Sequence, residues 1–135
     1  LIALEKAINP LLDDNDIIGF SFILNEIVQE CKNIPKSVAF HFKVDPKKLP
    51  QYYQKITTPM DLGTMQQNIK EHHYTTVQAF RNDIEQIRIN SELYNGPAET
   101  SQYTAKAAEI SALAEQMLEV CYEPHPNFNY YYFGT

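Results

Sequence analysis

Apolar residues recur every three or four positions in several stretches of this chain. The first stretch lies between Asp16 and Lys32, and this spacing puts its apolar side chains on one face of a helix. Acidic residues before it favour a helix start, and Ile34-Pro35 ends it. The sequence therefore predicts an amphipathic helix over 16–32, with the inward series Phe20, Ile23, Leu24, Ile27, Val28 and Cys31.

Three more helices are predicted further along the chain. Asp61 is the expected N-cap of the second helix, Thr75 or Thr76 caps the third, and Asn95-Gly96-Pro97 ends the third. The apolar series of these helices are Leu62, Met65 and Ile69; Val77, Phe80, Ile84, Ile87 and Tyr94; and Tyr103, Ala107, Ile110, Ala114, Met117 and Cys121. Helices with one apolar face each must pack these faces together, so the predicted fold class is all-α, a four-helix bundle.

The connection between the first and second predicted helices, residues 35–59, is unusually long. It has neither a helical period nor a clean alternation of apolar and polar positions. Loops longer than about 12–15 residues are usually functional or disordered, and the aromatic residues here have apolar surface to bury. We therefore predict a long, ordered, functional loop, which contains Pro35, Pro46, Pro50 and Pro59 together with Phe40, Phe42, Tyr52 and Tyr53.

Composition narrows the classes of partner. The chain has 135 residues, with 11 Lys and Arg against 17 Asp and Glu, and a formal charge of −6. A negative protein repels nucleic acid phosphates, so direct nucleic-acid binding is not expected, whereas basic peptides are attracted. No apolar run approaches the roughly 20 residues of a membrane span, so no membrane partner is expected.

No catalytic or metal-binding set emerges from the sequence. Cys31 and Cys121 are expected to be free, buried thiols in a reducing compartment, although one disulfide between them is arithmetically possible. His72 and His73 are adjacent on a helix and point about 100° apart, so they are poorly placed to share one ion. No serine or cysteine has a positioned base, and there is no glycine-rich phosphate loop. We expect no enzyme activity, no metal and no cofactor.

The chemistry of the loop and the end of the third helix predicts a ligand site. Asn95 ends that helix beside Tyr94 and faces the aromatic loop that contains Tyr52 and Tyr53. An apolar slot with few polar groups suits a neutral ligand with an apolar stem and one amide. A charged lysine ammonium would lose its hydration there and be rejected. The loop residues expected to line the slot are Phe40, Val44, Leu49 and Ile56.

Three blocks carry a resemblance to a known family. Leu49-Pro50-Gln51-Tyr52-Tyr53 and Pro59-Met60-Asp61-Leu62 lie about 40 residues before Tyr94-Asn95-Gly96-Pro97. In this combination and spacing they resemble the bromodomain family, and the resemblance extends over about residues 16–121. It implies a left-handed bundle of helices named Z, A, B and C, with an acetyl-lysine pocket at one end.

The resemblance also implies a role for each candidate residue. The family's asparagine, matched by Asn95, donates its amide to the acetyl carbonyl, and the tyrosine matched by Tyr52 reaches the same oxygen through an ordered water. Tyr94 is expected to form a wall of the pocket and Tyr103 to act as the gatekeeper at its mouth. Phe40, Val44, Leu49 and Ile56 match the residues that line the slot.

The function that follows from the resemblance is that of an acetyl-lysine reader that binds acetylated histone tails and targets chromatin. Residues 1–15 are expected to be a linker from an upstream module, 16–121 the domain and 122–135 a tail. The segments 4–14 and 20–24 resemble the approach to the second of two tandem bromodomains in the general transcription machinery. The resemblance thus implies a monomeric module within a longer nuclear chain, with other transcription-factor subunits as partners.

The chain departs from the family pattern at three places. Val38-Ala39-Phe40 replaces a frequent Trp-Pro-Phe, Lys43 replaces a proline, and two extra residues separate Asn95 from Tyr103. The alternative interpretation is a helical scaffold that binds another protein through its surface and has a vestigial pocket. Dependence of binding on acetylation separates the two interpretations.

Overall fold

A computed structural model describes residues 14–122 of the chain. Within this part all regular structure is helical and no strand occurs, which confirms the predicted all-α class. The helices are α1 Asp14–Lys32, α2 Tyr52–Lys55, α3 Leu62–Lys70, α4 Val77–Asn95 and α5 Gln102–Tyr122, with one 3-10 turn at Val38–Phe40. The expected tail and nearly all of the expected linker lie outside the described residues.

Local sequence explains where the helices begin and end. The Asp61 carboxylate accepts a hydrogen bond from the Thr64 N–H at 2.9 Å, which confirms Asp61 as the N-cap of α3. Thr76, and not Thr75, caps α4 by accepting from the Ala79 N–H at 3.0 Å. Gly96 follows α4 with a φ of 95°, a backbone conformation that glycine adopts without strain.

The four long helices enclose one core, as the apolar series predict. Helix α4 packs on α5, and α1 packs on both α3 and α5. The α3 series is fully confirmed, since all three of its residues are buried. The α1 series is buried except for the partly buried Ile23. Buried members of the core cluster include Leu24, Ile27, Val28, Met65, Val77, Phe80, Ile84, Ile87, Ile110 and Leu118.

The predicted α5 series is partly wrong. Leu118 is 1% exposed and belongs to the core, whereas Met117 and Cys121 are only partly buried. Leu118 lies about one turn after Ala114 on the inner face, while Met117 and Cys121 pack against the core and stay partly exposed. Tyr103 is 58% exposed because it lies in the first turn of α5, at the end of the bundle.

The long connection is ordered by hydrogen bonds to the bundle. The Gly63 N–H donates to the His41 carbonyl at 3.0 Å, and the Asn90 side chain donates to the Thr58 carbonyl at 2.8 Å. The sequence of the loop shows no helical period, yet the structure contains two short helical segments there, α2 and the 3-10 turn. Such single turns are too short to show a helical period, so the sequence pattern does not reveal them.

Both cysteines are free, as expected. Cys31 is buried, its thiol donates to the Ile110 carbonyl at 3.7 Å, and burial raises its pKa to about 12. Cys121 is only partly buried, contrary to the expectation that both thiols are fully buried. In the described part of the chain, none of the helices has the length and apolar character needed to cross a membrane.

Candidate functional site

A cavity of about 680 Å³ opens where the long loop meets the end of α4 and the start of α5. Its walls are mainly apolar and aromatic, which is the usual composition of a small-molecule site. These wall residues are Ala39, Phe40, Phe42, Val44, Leu49, Tyr52, Tyr53, Pro59, Met60, Ile87, Tyr94 and Tyr103. The polar lining consists of Lys43, Asp61, Thr64, Asn90, Ser91 and Asn95.

The structure brings together seven of the eight residues that the sequence singled out. These seven line the cavity: Phe40, Val44, Leu49, Tyr52, Tyr94, Asn95 and Tyr103. Ile56 is not in the lining and is 1% exposed. It follows the single turn of α2, and its N–H donates to the Tyr52 carbonyl at 2.8 Å. Tyr52 and Tyr53 are the residues of this turn that line the cavity, while the Ile56 side chain is buried and does not line it.

The orientation of the Asn95 amide is determined by two buried hydroxyl groups. Thr104 Oγ1 donates to the Gly96 carbonyl at 2.7 Å, so its single hydrogen is already used. Ser91 Oγ lies 2.9 Å from Thr104 Oγ1 and therefore donates to it. With its own hydrogen engaged, Ser91 Oγ accepts from Asn95 Nδ2 at 3.1 Å. The nitrogen of the Asn95 amide must consequently face Ser91.

This hydroxyl chain leaves part of the Asn95 amide available to a ligand. A carboxamide nitrogen carries two hydrogens, and Ser91 accepts only one of them. Asn95 is an exposed residue at the cavity, whereas Ser91 and Thr104 are 4% and 1% exposed. The second N–H of the Asn95 amide is therefore accessible at the cavity, while the Ser91 and Thr104 hydroxyls that orient it are buried.

The second carboxamide of the cavity, Asn90, was missed by the sequence analysis. Asn90 is 3% exposed; its nitrogen donates to the Thr58 carbonyl at 2.8 Å, and its oxygen accepts from Gln86 at 2.8 Å. Asn90 is buried and both ends of its amide have protein partners, so it serves to hold the loop to α4, whereas Asn95 is exposed at the cavity. The sequence contained the signal, since Asn90 and Ser91 are polar residues on the apolar stripe between Ile87 and Tyr94.

Three tyrosine rings form one wall. Tyr52 contacts Tyr94 edge-on, with the ring centroids 4.8 Å apart, and contacts Tyr53 at 5.2 Å. The Tyr53 hydroxyl donates to the Val44 carbonyl at 2.5 Å, which ties this wall to the loop. Burial raises the pKa of Tyr52, with smaller contributions from Tyr53, Tyr94 and Asp61. The Tyr52 hydroxyl is therefore protonated at neutral pH and can donate a hydrogen bond.

Phe42 and Lys43 are two further lining residues that the sequence analysis did not select. Phe42 is 67% exposed although it lines the cavity, so it contributes an aromatic face near the solvent. Val38 is 63% exposed and is absent from the lining. Phe42, four positions after Val38 in the sequence, is therefore an exposed aromatic residue of the lining, whereas Val38 is not part of it.

The described residues contain no group of three or more His, Cys, Asp or Glu side chains that could hold a metal ion. Asp61, the carboxylate in the cavity lining, is 6% exposed. Its two oxygens accept from the backbone and the side chain of Thr64 at 2.9 and 2.5 Å. This carboxylate is committed to capping α3.

Comparison with known proteins identifies relatives of this chain. The Bromodomain family matches residues 24–109. Over 118 residues the chain is 54% identical to "Transcription initiation factor TFIID subunit 1" of Caenorhabditis elegans and 41% identical to the protein of that name from Drosophila melanogaster. It is 38% identical over 112 residues to "Nucleosome-remodeling factor subunit NURF301" of Drosophila melanogaster.

These matches cover most of this chain and little of the relatives. The match covers 87% of this chain for each of the two TFIID subunits and 78% for the nucleosome-remodeling factor subunit. They span only 7%, 5% and 4% of the length of the three relatives. The similarity therefore concerns one module and not the activities of the long proteins that contain it.

Proposed function

The chain belongs to the bromodomain family, and from that premise we propose that it is a reader module that binds acetyl-lysine in the cavity beside Asn95. The observation that carries the proposal is the free N–H of an amide held in one orientation by Ser91 at the mouth of an apolar cavity. The proposed ligand is an acetylated histone tail.

Each part of the ligand has a counterpart in the cavity. The acetyl carbonyl accepts from Asn95 Nδ2, and the Tyr52 hydroxyl reaches the same oxygen through a water, as the family resemblance implies. The methylene stem packs against Val44 and Leu49, and Tyr103 borders the mouth of the cavity. Phe40 and Tyr94 complete the walls.

Discrimination against unmodified lysine follows from desolvation. An ammonium group that enters apolar walls loses its hydration, and the cost is several kcal/mol unless an anion compensates it. The only carboxylate in the lining, Asp61, is occupied by Thr64. A neutral acetamide carries no such cost and matches the single available amide donor.

One acetyl group supplies little affinity by itself. If the cavity buries roughly 120 Å² of apolar ligand surface, the gain at about 25 cal/mol per Å² is about 3 kcal/mol. A net hydrogen bond to Asn95 adds about 1 kcal/mol. A total near 4 kcal/mol corresponds to a Kd of about 1 mM. Useful affinity must then come from flanking peptide, a second acetyl-lysine or a linked module.

The wider context is proposed on the same basis. We propose that residues 16–121 form the reader domain of a longer nuclear protein, preceded by a linker over 1–15 and followed by a tail over 122–135. The proposed context is a subunit of a transcription-initiation complex, whose other subunits are its partners. Equivalence to the second of two tandem modules stays a prediction from the segments 4–14 and 20–24.

Replacement of Asn95 by alanine tests the proposed site. We expect Asn95→Ala to weaken binding of an acetylated histone peptide about tenfold or more, because a loss of about 1.4 kcal/mol corresponds to tenfold in Kd. Titration calorimetry measures the change, and circular dichroism checks that helix content is unchanged. Asn82→Ala is the matched control, since Asn82 lies on the same helix and bonds only to the neighbouring Gln78 side chain.

Two outcomes would reject the proposal. Equal affinities of wild type and Asn95→Ala would show that the amide does not hold the ligand. Equal binding of acetylated and unmodified tails would favour the scaffold interpretation, in which the bundle surface binds a partner protein.

A further inference from the structure

The side of the cavity mouth formed by the long loop is positively charged, although the chain as a whole is negative. Segment 36–60 contains five lysines and one acidic residue, Asp45, within a chain of formal charge −6. Three of these lysines, Lys43, Lys47 and Lys48, lie next to the cavity wall, and we call them the lysine rim. We propose that the ligand carries an acidic or phosphorylated residue beside its acetylated lysine, on the side that faces the lysine rim.

The inference rests on the proposed function, since it specifies the ligand of the same cavity. It adds to the sequence-based expectation that an acidic domain attracts basic peptides. The net charge does not show where individual charges lie, and the inference concerns only the ligand residues that face the lysine rim.

The position of the lysine rim follows from the wall residues on either side of it. Lys43 lines the cavity, as do Val44 and Leu49. The turn between these two wall residues is closed by hydrogen bonds from Lys48 N and Leu49 N to the Asp45 carbonyl, at 3.0 and 3.1 Å. Because consecutive Cα atoms are about 3.8 Å apart, the backbone of Lys47 lies within about 8 Å of the Leu49 backbone. This is about one Debye length at physiological salt, and a lysine side chain at this position is long enough to bring its ammonium group near the mouth. Lys43 is itself part of the lining.

The rim lysines are exposed and lack acidic partners. All three are exposed, and none forms an ion pair with a residue of the described part of the chain. Some cations of the bundle are instead paired: Arg88 lies 2.7 Å from Glu85, and Lys106 lies 2.6 Å from Glu109.

The carboxylates near the lysine rim do not neutralise it. Asp45 is the acidic residue of the turn, and its Oδ1 accepts from the backbone N–H of Lys47 at 2.9 Å. It offsets one of the three positive charges. Asp61 is buried and faces Thr64, so it is shielded from the exposed lysines.

The other side of the mouth has fewer unpaired cations. The connection between α4 and α5 contains the exposed Glu99 and no lysine or arginine. Lys36 and Lys106 line a neighbouring depression together with Asn95 and Tyr103, and Lys106 lies 2.6 Å from Glu109. The lysine rim is therefore the larger cluster of unpaired cations around the mouth. A peptide that crosses it is favoured when its anionic side lies over the lysine rim.

The energetic consequence concerns residues that flank the acetyl-lysine and not the acetyl group itself. Arginine or unmodified lysine over the rim is repelled, and a carboxylate or a phosphate is attracted. A phosphoserine carries about two negative charges at pH 7, so it gains more than glutamate. Both ligands share one chemistry, an anion one or two residues from the acetylated lysine.

A peptide series with one variable flank tests the inference. Each peptide has a single acetyl-lysine, and two flanking positions hold serine, glutamate, phosphoserine or arginine, placed either before or after the acetyl-lysine. We expect, on one of these two sides, affinity in the order phosphoserine, glutamate, serine, arginine. The extremes should differ about fivefold to tenfold at low salt and converge at about 0.5 M salt, where screening shortens the interaction.

Two variants with equal charge change locate the effect. The double variant Lys47→Gln with Lys48→Gln removes two positive charges from the rim. Lys70→Glu makes the chain more negative by the same amount at the far end of α3, outside the cavity lining. We expect the ratio of affinities between the phosphoserine and arginine peptides to fall to less than about half of its wild-type value in the double variant. The ratio should stay unchanged in Lys70→Glu, because the interaction is local.

The outcomes separate this inference from the proposed function. If binding requires acetylation but is independent of the flank on both sides, the inference is wrong and the reader function stands. The same conclusion follows if the double variant keeps the full preference. If acetylated and unmodified peptides of the whole series bind equally, the reader function is rejected, and the inference with it.

Discussion

Single hydrogen atoms decide what Asn95 offers to a ligand. An asparagine amide can present either its nitrogen or its oxygen to a given neighbour, since the two ends have nearly the same shape. Here the orientation of the amide is determined at the far end of a hydrogen-bond chain that runs from Asn95 through Ser91 to Thr104. The Thr104 hydroxyl uses its hydrogen on the Gly96 carbonyl. Ser91 then has to donate to Thr104, and the amide must present its nitrogen to Ser91.

Replacement of Thr104 tests this chain of hydroxyl groups. We expect Thr104→Val to weaken binding of an acetylated peptide about threefold to tenfold, because Ser91 is then free to donate to the Asn95 oxygen and the amide can turn over. Thr104→Ser keeps the hydroxyl and should bind like the wild type. Titration calorimetry gives the affinities, and NMR of the Asn95 side-chain amide in the free protein reports the change of environment.

A different result is expected if Thr104 only fills space in the interior and does not orient the Asn95 amide. If Thr104→Val and Thr104→Ser had equal affinity and the Asn95 amide signals did not move, Thr104 would be an ordinary buried residue. The NMR readout needs no ligand, so it tests the orientation of the amide even if the ligand is not acetyl-lysine.

At the scale of elements, the cavity depends on how the long loop meets α3. The Gly63 N–H donates to the His41 carbonyl, and this contact holds the loop close to the first turn of the helix. A Cβ atom at Gly63 would lie 2.6 Å from the His41 oxygen and 3.1 Å from a carboxylate oxygen of Asp61. The close approach of two backbone segments therefore requires glycine at this position.

Alanine substitutions at two helical glycines should have opposite effects. We expect Gly63→Ala to lower the free energy of unfolding by about 1–3 kcal/mol, because the loop must move away from α3. Gly19→Ala on α1 meets no atom within 4 Å and should raise the free energy of unfolding by about 0.5–1 kcal/mol through helix propensity. Urea unfolding measures both, and a neutral Gly63→Ala would show that the loop does not depend on this approach.

At the scale of the whole molecule, the same loop makes stability depend on pH. His41 Nε2 lies 2.8 Å from Ser37 Oγ, and the Ser37 hydroxyl donates to the Lys32 carbonyl at 3.2 Å. Burial lowers the pKa of His41 below its ordinary value of 6.5, and the charge of Lys32 lowers it further. The folded protein therefore favours the neutral ring, while the unfolded chain binds a proton near pH 6.5.

The sign of the pH effect follows from this difference. The unfolded state takes up more protons than the folded state as the pH falls through 6.5, so the stabilisation from the neutral His41 ring is complete above that pH and is lost below it. We expect the melting temperature to drop less between pH 7.5 and 5.5 in His41→Gln than in the wild type. His73→Gln, which removes an exposed histidine outside the long loop, is the comparison variant. If the melting temperature falls by the same amount between pH 7.5 and 5.5 in the wild type and in His41→Gln, the prediction is wrong.

Much of the fold could be read from the sequence because it depends on local and periodic signals. The series Leu62, Met65 and Ile69 is buried as predicted, and Asp61 caps the helix that carries it. The period was incomplete on α5, where the missed Leu118 is fully buried and the predicted Met117 is only partly buried against the core. A face that turns slowly along a long helix is determined by its neighbours, and the sequence of one helix contains no information about them.

The candidate site was predictable as a set of residues but not in its geometry. Seven of the eight residues line one cavity, yet Ile56 does not, because the single turn of α2 places its side chain in the interior. Asn90 was missed although it holds the loop to α4. Asn90 anchors the loop through the Thr58 carbonyl, 32 positions away, and no pattern of neighbouring residues reveals such a contact.

The amino-acid sequence by itself determined the helical class, the helix ends and the family, because apolar period, capping residues and motif spacing are properties of neighbouring positions. Only the tertiary structure decided which amide is free, which is occupied, and where the unpaired lysines lie around the cavity. These properties depend on distances of a few ångströms between distant segments, and such distances exist only after the helices have packed.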